Sequence, residues 1–307
     1  MKKTVPVFYA VDDKYVPYLC VSFDSLIDHT CAENDYEIYI LTTALNEESR
    51  AYIKKRETKN VHVHFVDVNE RLKDIDNALS LRDYYSLATY YRVFIAGLFP
   101  QYDKVLYIDS DTVLLEDAAK LYDVDLTGAL VGAVPDGAVA VVSEFRAYTK
   151  EVLGIPAEEY FNAGVLVMNL KEFRAVDFYA KFRDLLCKYK FTVAQDQDYL
   201  NVLCKGKVVF VDEGWNRMPI FGEGLPAPKL VHYNLTMKPW RYKDILYKEY
   251  FWTYAEKSEF FAVIKDALDS FTPEMAAGDA ECEKNLRALA LKEAESEENY
   301  LKKYGDA

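Results

Sequence analysis

The chain's sharpest chemical signal is a pair of carboxylates one residue apart. Val105-Leu106-Tyr107-Ile108 reads as a short apolar strand that stops abruptly at Asp109-Ser110-Asp111. Ligands of open α/β sheets gather at the carboxyl ends of strands, and two acids there can share one hard cation. A second group lies at His232, which closes an apolar run and enters a loop carrying Lys238, Pro239 and Trp240. A neutral imidazole is a metal ligand, and a lysine a few residues on can meet a phosphate. Phe161-Asn162-Ala163-Gly164 leads into the apolar run 165–168. Its Ala-Gly step allows a ligand close to the backbone, and the Asn162 amide can bind hydroxyls. Finally, Gln195-Asp196-Gln197-Asp198 opens a helical segment. Capping there accounts for one carboxylate but not for the whole tetrad.

The elements that must position these groups alternate along the chain. Apolar runs predict strands over 5–10, 36–41, 61–65, 105–108, 129–134, 164–168, 208–211 and 230–233. Helical spacing and end signals predict helices over 17–26, 46–55, 86–100, 171–189, 196–204 and 242–255. Ser86 opens the third of these and Pro100 ends it. The βαβα order predicts an α/β fold, a mixed and mostly parallel sheet with helices on both faces. After Thr272-Pro273 the composition shifts to Ala, Glu and Lys. Residues 273–307 therefore read as a charged helical extension to a main domain of 1–272. Its weak apolar stripe, Leu286 and Leu289, suits a solvated or partner-facing helix.

Composition narrows the function classes. In 307 residues, 51% hydrophobic and 15% aromatic content supplies a sizeable core and excludes wholesale disorder. A net charge of −13 repels phosphate backbones and anionic headgroups, which argues against a general nucleic-acid or membrane-surface binder. Any phosphate-bearing ligand would need a local cation. The start, MKKTVPVFYAVDDKY, does not read as a signal peptide, and the longest apolar tract, 128–142, is broken by Pro135-Asp136. Five dispersed cysteines suit a reducing compartment, so a cytoplasmic protein is expected.

Leu106 to Val113 also matches the DxDx(T/V) loop of haloacid-dehalogenase-like phosphatases, in which Asp109 would be a nucleophile. Three strand candidates precede it, and both Gly-Asp pairs, Gly278-Asp279 and Gly305-Asp306, lie in the C-terminal extension. That reading is the runner-up. Taken together and in order, VFYAVDDKY, ATYYR, VLYIDSDTVLLEDAAKLYDVDL, FNAGVLVMNL, QDQDYLN and HYNLTMKPW resemble glycosyltransferase family 8 over roughly Val5 to Trp240. This family includes bacterial lipooligosaccharide galactosyl- and glucosyltransferases and the glycogenins.

The resemblance implies a Rossmann-like glycosyltransferase A fold and transfer of a hexose from UDP-glucose or UDP-galactose with retention. It implies Mn²⁺, with Mg²⁺ as substitute, held by Asp109, Asp111 and His232. Ala10, Asp12 and Tyr15 would hold the uracil and ribose, with Lys14 and Ser110 among the donor-binding residues and Lys238 on the pyrophosphate. Lys14 stands where the family often has Asn, and Leu235 where bacterial relatives often have Gly. Arg92, Asn162, Asp196 and Gln197 would face the donor sugar, with Asp196 and Gln197 at the catalytic centre. The implied acceptor is a saccharide or lipid-linked saccharide, and the aromatic, basic stretch from Trp240 to Trp252 would give a weak contact with the inner membrane face. Asp198, two residues from Asp196 on a helix, would point elsewhere. A front-face path with no glycosyl-enzyme is therefore expected, Asp196 steadying the oxocarbenium-like state. A silent nucleotide-sugar-binding protein is the remaining alternative.

Overall fold

Among the described residues nine strands carry the architecture: β1 (Lys3–Ala10), β2 (Asn34–Thr42), β3 (Val61–Asp67), β4 (Lys104–Ile108), β5 (Thr112–Leu114), β6 (Val131–Ala133), β7 (Val165–Asn169), β8 (Val208–Phe210) and β9 (Leu230–His232). The computed structural model describes residues 2–73, 87–220 and 227–305. Seven strands form one sheet in the order β3-β2-β1-β4-β7-β6-β8. From β3 to β4 all neighbours are parallel, β7 runs antiparallel to both β4 and β6, and β6 pairs parallel with β8. The expected mixed, mostly parallel sheet is therefore present.

β1 explains why its sequence reads as an unbroken apolar run. Phe8 and Ala10 enter the core on one face, while Val5, Val7 and Tyr9 enter the core on the other. Successive side chains of a strand point to opposite faces, so a strand covered on both sides is apolar at every position. The chain winds from β1 outward to β2 and β3, then returns to β4 on β1's other side. Such a reversal leaves a crevice beyond the carboxyl ends of the two strands. Ala10 and Ile108 end there, and the Asp109-Ser110-Asp111 loop begins.

Several elements differ from expectation. The predicted helix over 86–100 is a 3-10 helix, Leu87–Phe94, followed by one α-turn, Ile95–Leu98; Ser86 lies outside the described residues. Tyr90, Tyr91, Arg92, Val93 and Phe94 are all buried, and a run of aromatic and β-branched residues favours a regular α-helix poorly. The single helix expected over 171–189 is two, Leu170–Ala175 and Phe178–Lys188, separated at Asp177, whose φ of 50° is left-handed. Asp tolerates that region better than most residues. The helix expected from Tyr242 starts at Lys248, after Tyr247 at φ 66°.

The C-terminal extension is helical over Pro273–Glu295, with Thr272 Oγ1 accepting from Met275 N–H at its start. One side of it packs on the helix Ser143–Leu153, while most of its other residues are exposed. Ala290 and Ala294 are buried there and Leu286 and Leu289 pack against the core. Arg241 Nη1 and Tyr242 OH reach Asp279 Oδ2 at 2.9 and 2.8 Å. Of the aromatic stretch that follows Pro239, Trp240, Phe251 and Tyr254 are buried, with Trp240 stacked on Tyr18. No described helix is long and apolar enough to cross a membrane.

Candidate active site

The two-stranded sheet of β5 and β9 builds the metal-type group. β5 follows the aspartates immediately and pairs antiparallel with β9, setting Thr112 opposite His232. The loop is pinned on three sides: Asp109 N–H donates to Gly164 O at 2.7 Å, Ser110 Oγ to Ala10 O at 2.9 Å, and Tyr233 N–H to Asp111 O at 2.9 Å. His232 Nε2 then lies 3.2 Å from Asp111 Oδ1 and 3.7 Å from Asp109 Oδ2. One ligand atom from each of Asp109, Asp111 and His232 falls within 4.8 Å of the others.

The imidazole is oriented by a buried amide relay. His232 Nδ1 faces Asn216 Oδ1 at 2.9 Å, Asn216 Nδ2 donates to Asn162 Oδ1 at 2.9 Å, and Asn162 Nδ2 donates to Asp136 Oδ2 at 2.9 Å. With its amide committed to Asn162, Asn216 offers a carbonyl, so His232 carries its proton on Nδ1. Nε2 is then the nitrogen directed at the carboxylates, the atom a ligating histidine offers. Gly164 completes the arrangement. A Cβ there would meet His232 Cε1 at 2.2 Å and Asp109 Oδ2 at 2.7 Å, so no other residue allows the three groups this close.

The surrounding charges are balanced. Burial disfavours the Asp111 carboxylate, yet Lys238 and His232 beside it hold its pKa well below the usual range. Lys238 is itself buried, pairs with Asp111 and donates to Tyr233 O at 2.5 Å. Asp109 Oδ1 accepts from Tyr107 OH at 2.8 Å and from Arg92 Nη2 at 3.2 Å. Arg92 lies over the Tyr107 ring, its guanidinium carbon 4.2 Å from the centroid.

Arg92 joins this group to the 195–198 segment. Its Nε lies 3.3 Å from Asp196 Oδ2 while donating to Thr89 O at 2.8 Å. Asp196 Oδ2 is buried and makes no aligned hydrogen bond. Burial, with a contribution from Asp109 and opposed by Arg92, pushes the Asp196 pKa up to about 7. The neighbouring Gln197 is locked in place: Oε1 accepts from Ala163 N–H at 2.9 Å, and Nε2 donates to Asp136 Oδ2 at 3.1 Å and Tyr160 OH at 3.2 Å. Asp198 points away, into the interior, and accepts from Tyr148 OH, Tyr160 OH and Ala194 N–H.

One cavity of about 530 Å³ gathers every residue nominated from the sequence: Ala10, Asp12, Lys14, Tyr15, Arg92, Asp109, Ser110, Asp111, Asn162, Asp196, Gln197, His232 and Lys238. Asp12 also has a local task, accepting from Tyr15 N–H at 3.1 Å. Sequence reasoning missed Tyr107, Asp136, Tyr160, Asn216 and Leu286. Asp136 had a signal, as the one carboxylate interrupting the apolar tract 128–142, and it turned out to receive both Asn162 and Gln197. Asn216 had none. Leu235 at φ 50° takes a left-handed backbone where glycine is the easier residue. Within the loop 216–228, residues 221–226 lie outside the described residues.

The phosphatase reading fails on this geometry. The aspartate loop follows the fourth strand, and Asp279 of the Gly278-Asp279 pair is engaged by Arg241 and Tyr242 in the C-terminal helix. The family model "Glycosyl transferase family 8" matches residues 6–244. A putative glycosyltransferase of Haemophilus influenzae is 33% identical over 219 residues, 71% of this chain and 64% of that protein, so the match leaves about a third of the relative uncovered. The lipopolysaccharide 1,2-glucosyltransferase of Escherichia coli is 28% identical over 258 residues, 76% of this chain and 72% of that protein. Among solved structures, the galactosyltransferase LgtC in complex with donor and acceptor sugar analogues superposes with a TM-score of 0.69 at 26% identity, covering 90% of this chain and all of LgtC. With six ordered motifs, the fold and the family model in agreement, this chain belongs to glycosyltransferase family 8 and is a glycosyltransferase.

Proposed function

We propose that the protein transfers a hexose, glucose or galactose, from its UDP derivative to a saccharide hydroxyl, with retention of anomeric configuration and with Mn²⁺ or Mg²⁺ bound. The observation that carries this reading is the Asp109–Asp111–His232 group at the carboxyl ends of β1 and β4, with Lys238 beside it. Two carboxylates and a neutral imidazole suit a hard or borderline divalent cation, and the clearance at Gly164 keeps the three together. When bound, the ion neutralises diphosphate charge and stabilises departing UDP. The choice of hexose draws on two relatives, one named a glucosyltransferase and the other a galactosyltransferase.

The remaining tasks fall to this chain's own groups. Ala10, Asp12, Lys14, Tyr15 and Ser110 are assigned to the uridine and ribose, and Lys238 to the pyrophosphate as a point charge. Arg92 and Asn162 orient the donor sugar. Oδ2 of Asp196, held by Arg92 Nε at 3.3 Å, accepts from sugar hydroxyls and opposes positive charge developing at the anomeric carbon. The departing phosphate takes the acceptor's proton on the same face, which preserves configuration without a protein nucleophile. Asp198 is unsuited to that role, since three donors already occupy its oxygens. Residues 1–272 form the transferase domain and 273–307 its helical extension. The dispersed cysteines favour the cytoplasm, and a lipid-linked saccharide would bring the protein to the membrane's inner face.

The test is release of UDP from UDP-glucose or UDP-galactose in the presence of Mn²⁺, with loss of release on adding a chelator. Tight UDP-sugar binding with no release under any saccharide acceptor would favour the silent binding protein instead. Absence of both binding and release would remove the proposal.

A further inference from the structure

The interior behind Gln197 holds a carboxylate that the proposed chemistry does not use. Asp198 is fully buried and does not reach the cavity, and its partners are hydroxyls and a backbone N–H rather than a cation. Burying a charge in this way is costly unless every oxygen is satisfied. Here the satisfaction is complete: Oδ1 accepts from Tyr160 OH at 2.7 Å, and Oδ2 accepts from Tyr148 OH at 2.8 Å and Ala194 N–H at 2.9 Å.

Each partner leads toward the cavity. Ala194 precedes Gln195, whose φ of 47° is left-handed and delivers Asp196 into the site. Holding Ala194 N–H therefore fixes the turn that aims Asp196. Tyr160 OH, besides donating to Asp198, accepts from Gln197 Nε2 at 3.2 Å, so the phenol fixes the amide of Gln197. Tyr148 belongs to the helix Ser143–Leu153, the one on which the C-terminal helix packs.

We propose that Asp198, itself outside the cavity, is with Tyr148 and Tyr160 a positioning clamp that holds Asp196 and Gln197 at the geometry of sugar transfer. The proposal rests on the assignment of Asp196 and Gln197 to the donor sugar. It also gives the C-terminal helix a task, because that helix backs the element carrying Tyr148. The two tyrosines divide the work unequally. Tyr148 only holds the carboxylate, whereas Tyr160 holds the carboxylate and Gln197 together.

Tyr160→Phe and Tyr148→Phe each remove one hydroxyl from the same buried carboxylate, so a purely structural role predicts matched losses in both. The clamp predicts a split. In steady-state UDP-hexose turnover with Mn²⁺, Tyr160→Phe lowers kcat about tenfold or more with donor KM changed by no more than about twofold, since small misplacement of a reacting group is enough for such a loss. Tyr148→Phe stays within about threefold of wild type in kcat, and UDP binding by calorimetry is unchanged in both. Asp198→Asn, if it folds, loses at least as much kcat as Tyr160→Phe. Equal kcat losses in the two tyrosine variants, or no loss in Tyr160→Phe, would overturn the clamp while leaving the transferase reading intact. A hexose adduct on Asp198 would overturn it as well. Wild-type protein without turnover would remove the transferase reading and this proposal together.

Discussion

Asn216 shows how much of the site depends on residues that touch no substrate. It fixes which nitrogen of His232 is protonated and is itself fixed by Asn162. Losing such a partner of a ligating histidine typically lowers metal affinity by about 10–100-fold. Asn216→Ala is expected to weaken Mn²⁺ binding by that order, read by titrating Mn²⁺ in the presence of UDP. Leu235 offers the opposite case. Its left-handed backbone costs roughly 1 kcal/mol in an L-residue, so Leu235→Gly should relieve part of that strain and raise the urea midpoint unless chain entropy offsets it. The buried acids supply a pH prediction. Burial pushes Asp196 up to about 7 and Asp198 up to about 6 from an ordinary 3.8, so the native chain keeps protons that the unfolded chain has released. Stability conferred by these groups is therefore greatest near pH 4 and falls as pH rises toward about 7. Urea midpoints measured between pH 5 and pH 8 should decline for the metal-free protein, and Asp198→Asn should flatten the decline. The aspartates and His232 were legible because each ends an apolar run. Asn216 was not, since a lone polar residue in a loop carries no spacing to read, and Asp136 showed only as a break in an apolar tract.

At the scale of elements, the three-residue β5 makes the site. Without its pairing to β9, His232 would have no fixed relation to Asp109 and Asp111. This strand was not expected, because Thr112-Val113-Leu114 runs straight on from the aspartate loop with nothing to mark it as a separate strand. The long strands were expected, because burial on both faces writes a continuous apolar run. The segment 87–98 was misread for a related reason: its apolar residues repeat at helical spacing, yet the chain tightens to a 3-10 helix with Arg92 turned into the site. The C-terminal helix was recognised as a helix but not as a packing partner. Its contact uses the small residues Ala290 and Ala294, which are invisible to a search for an apolar stripe. Ala290 is fully buried against the domain, so Ala290→Leu overfills the interface and should cost about 1–3 kcal/mol. Urea unfolding measures it, and a neutral result would mean that the helix docks more loosely than described.

For the whole molecule, charge and architecture pull in opposite directions and meet at the cavity. A chain of net charge −13 repels a diphosphate, and the cations that line the site (Lys14, Arg92, Lys238, Arg241) share it with Asp12, Asp109, Asp111, Asp136 and Asp196. A divalent ion held by Asp109, Asp111 and His232 would reconcile the two, which makes metal dependence and stereochemistry the central consequences of the account. The measurement that bears on both is proton NMR of the product formed from an α-linked UDP-hexose and a saccharide acceptor, followed with and without Mn²⁺. The account predicts an α-linked product that forms only with the metal and is absent in Asp109→Asn. A β-linked product, or transfer at full rate after chelation, would contradict it.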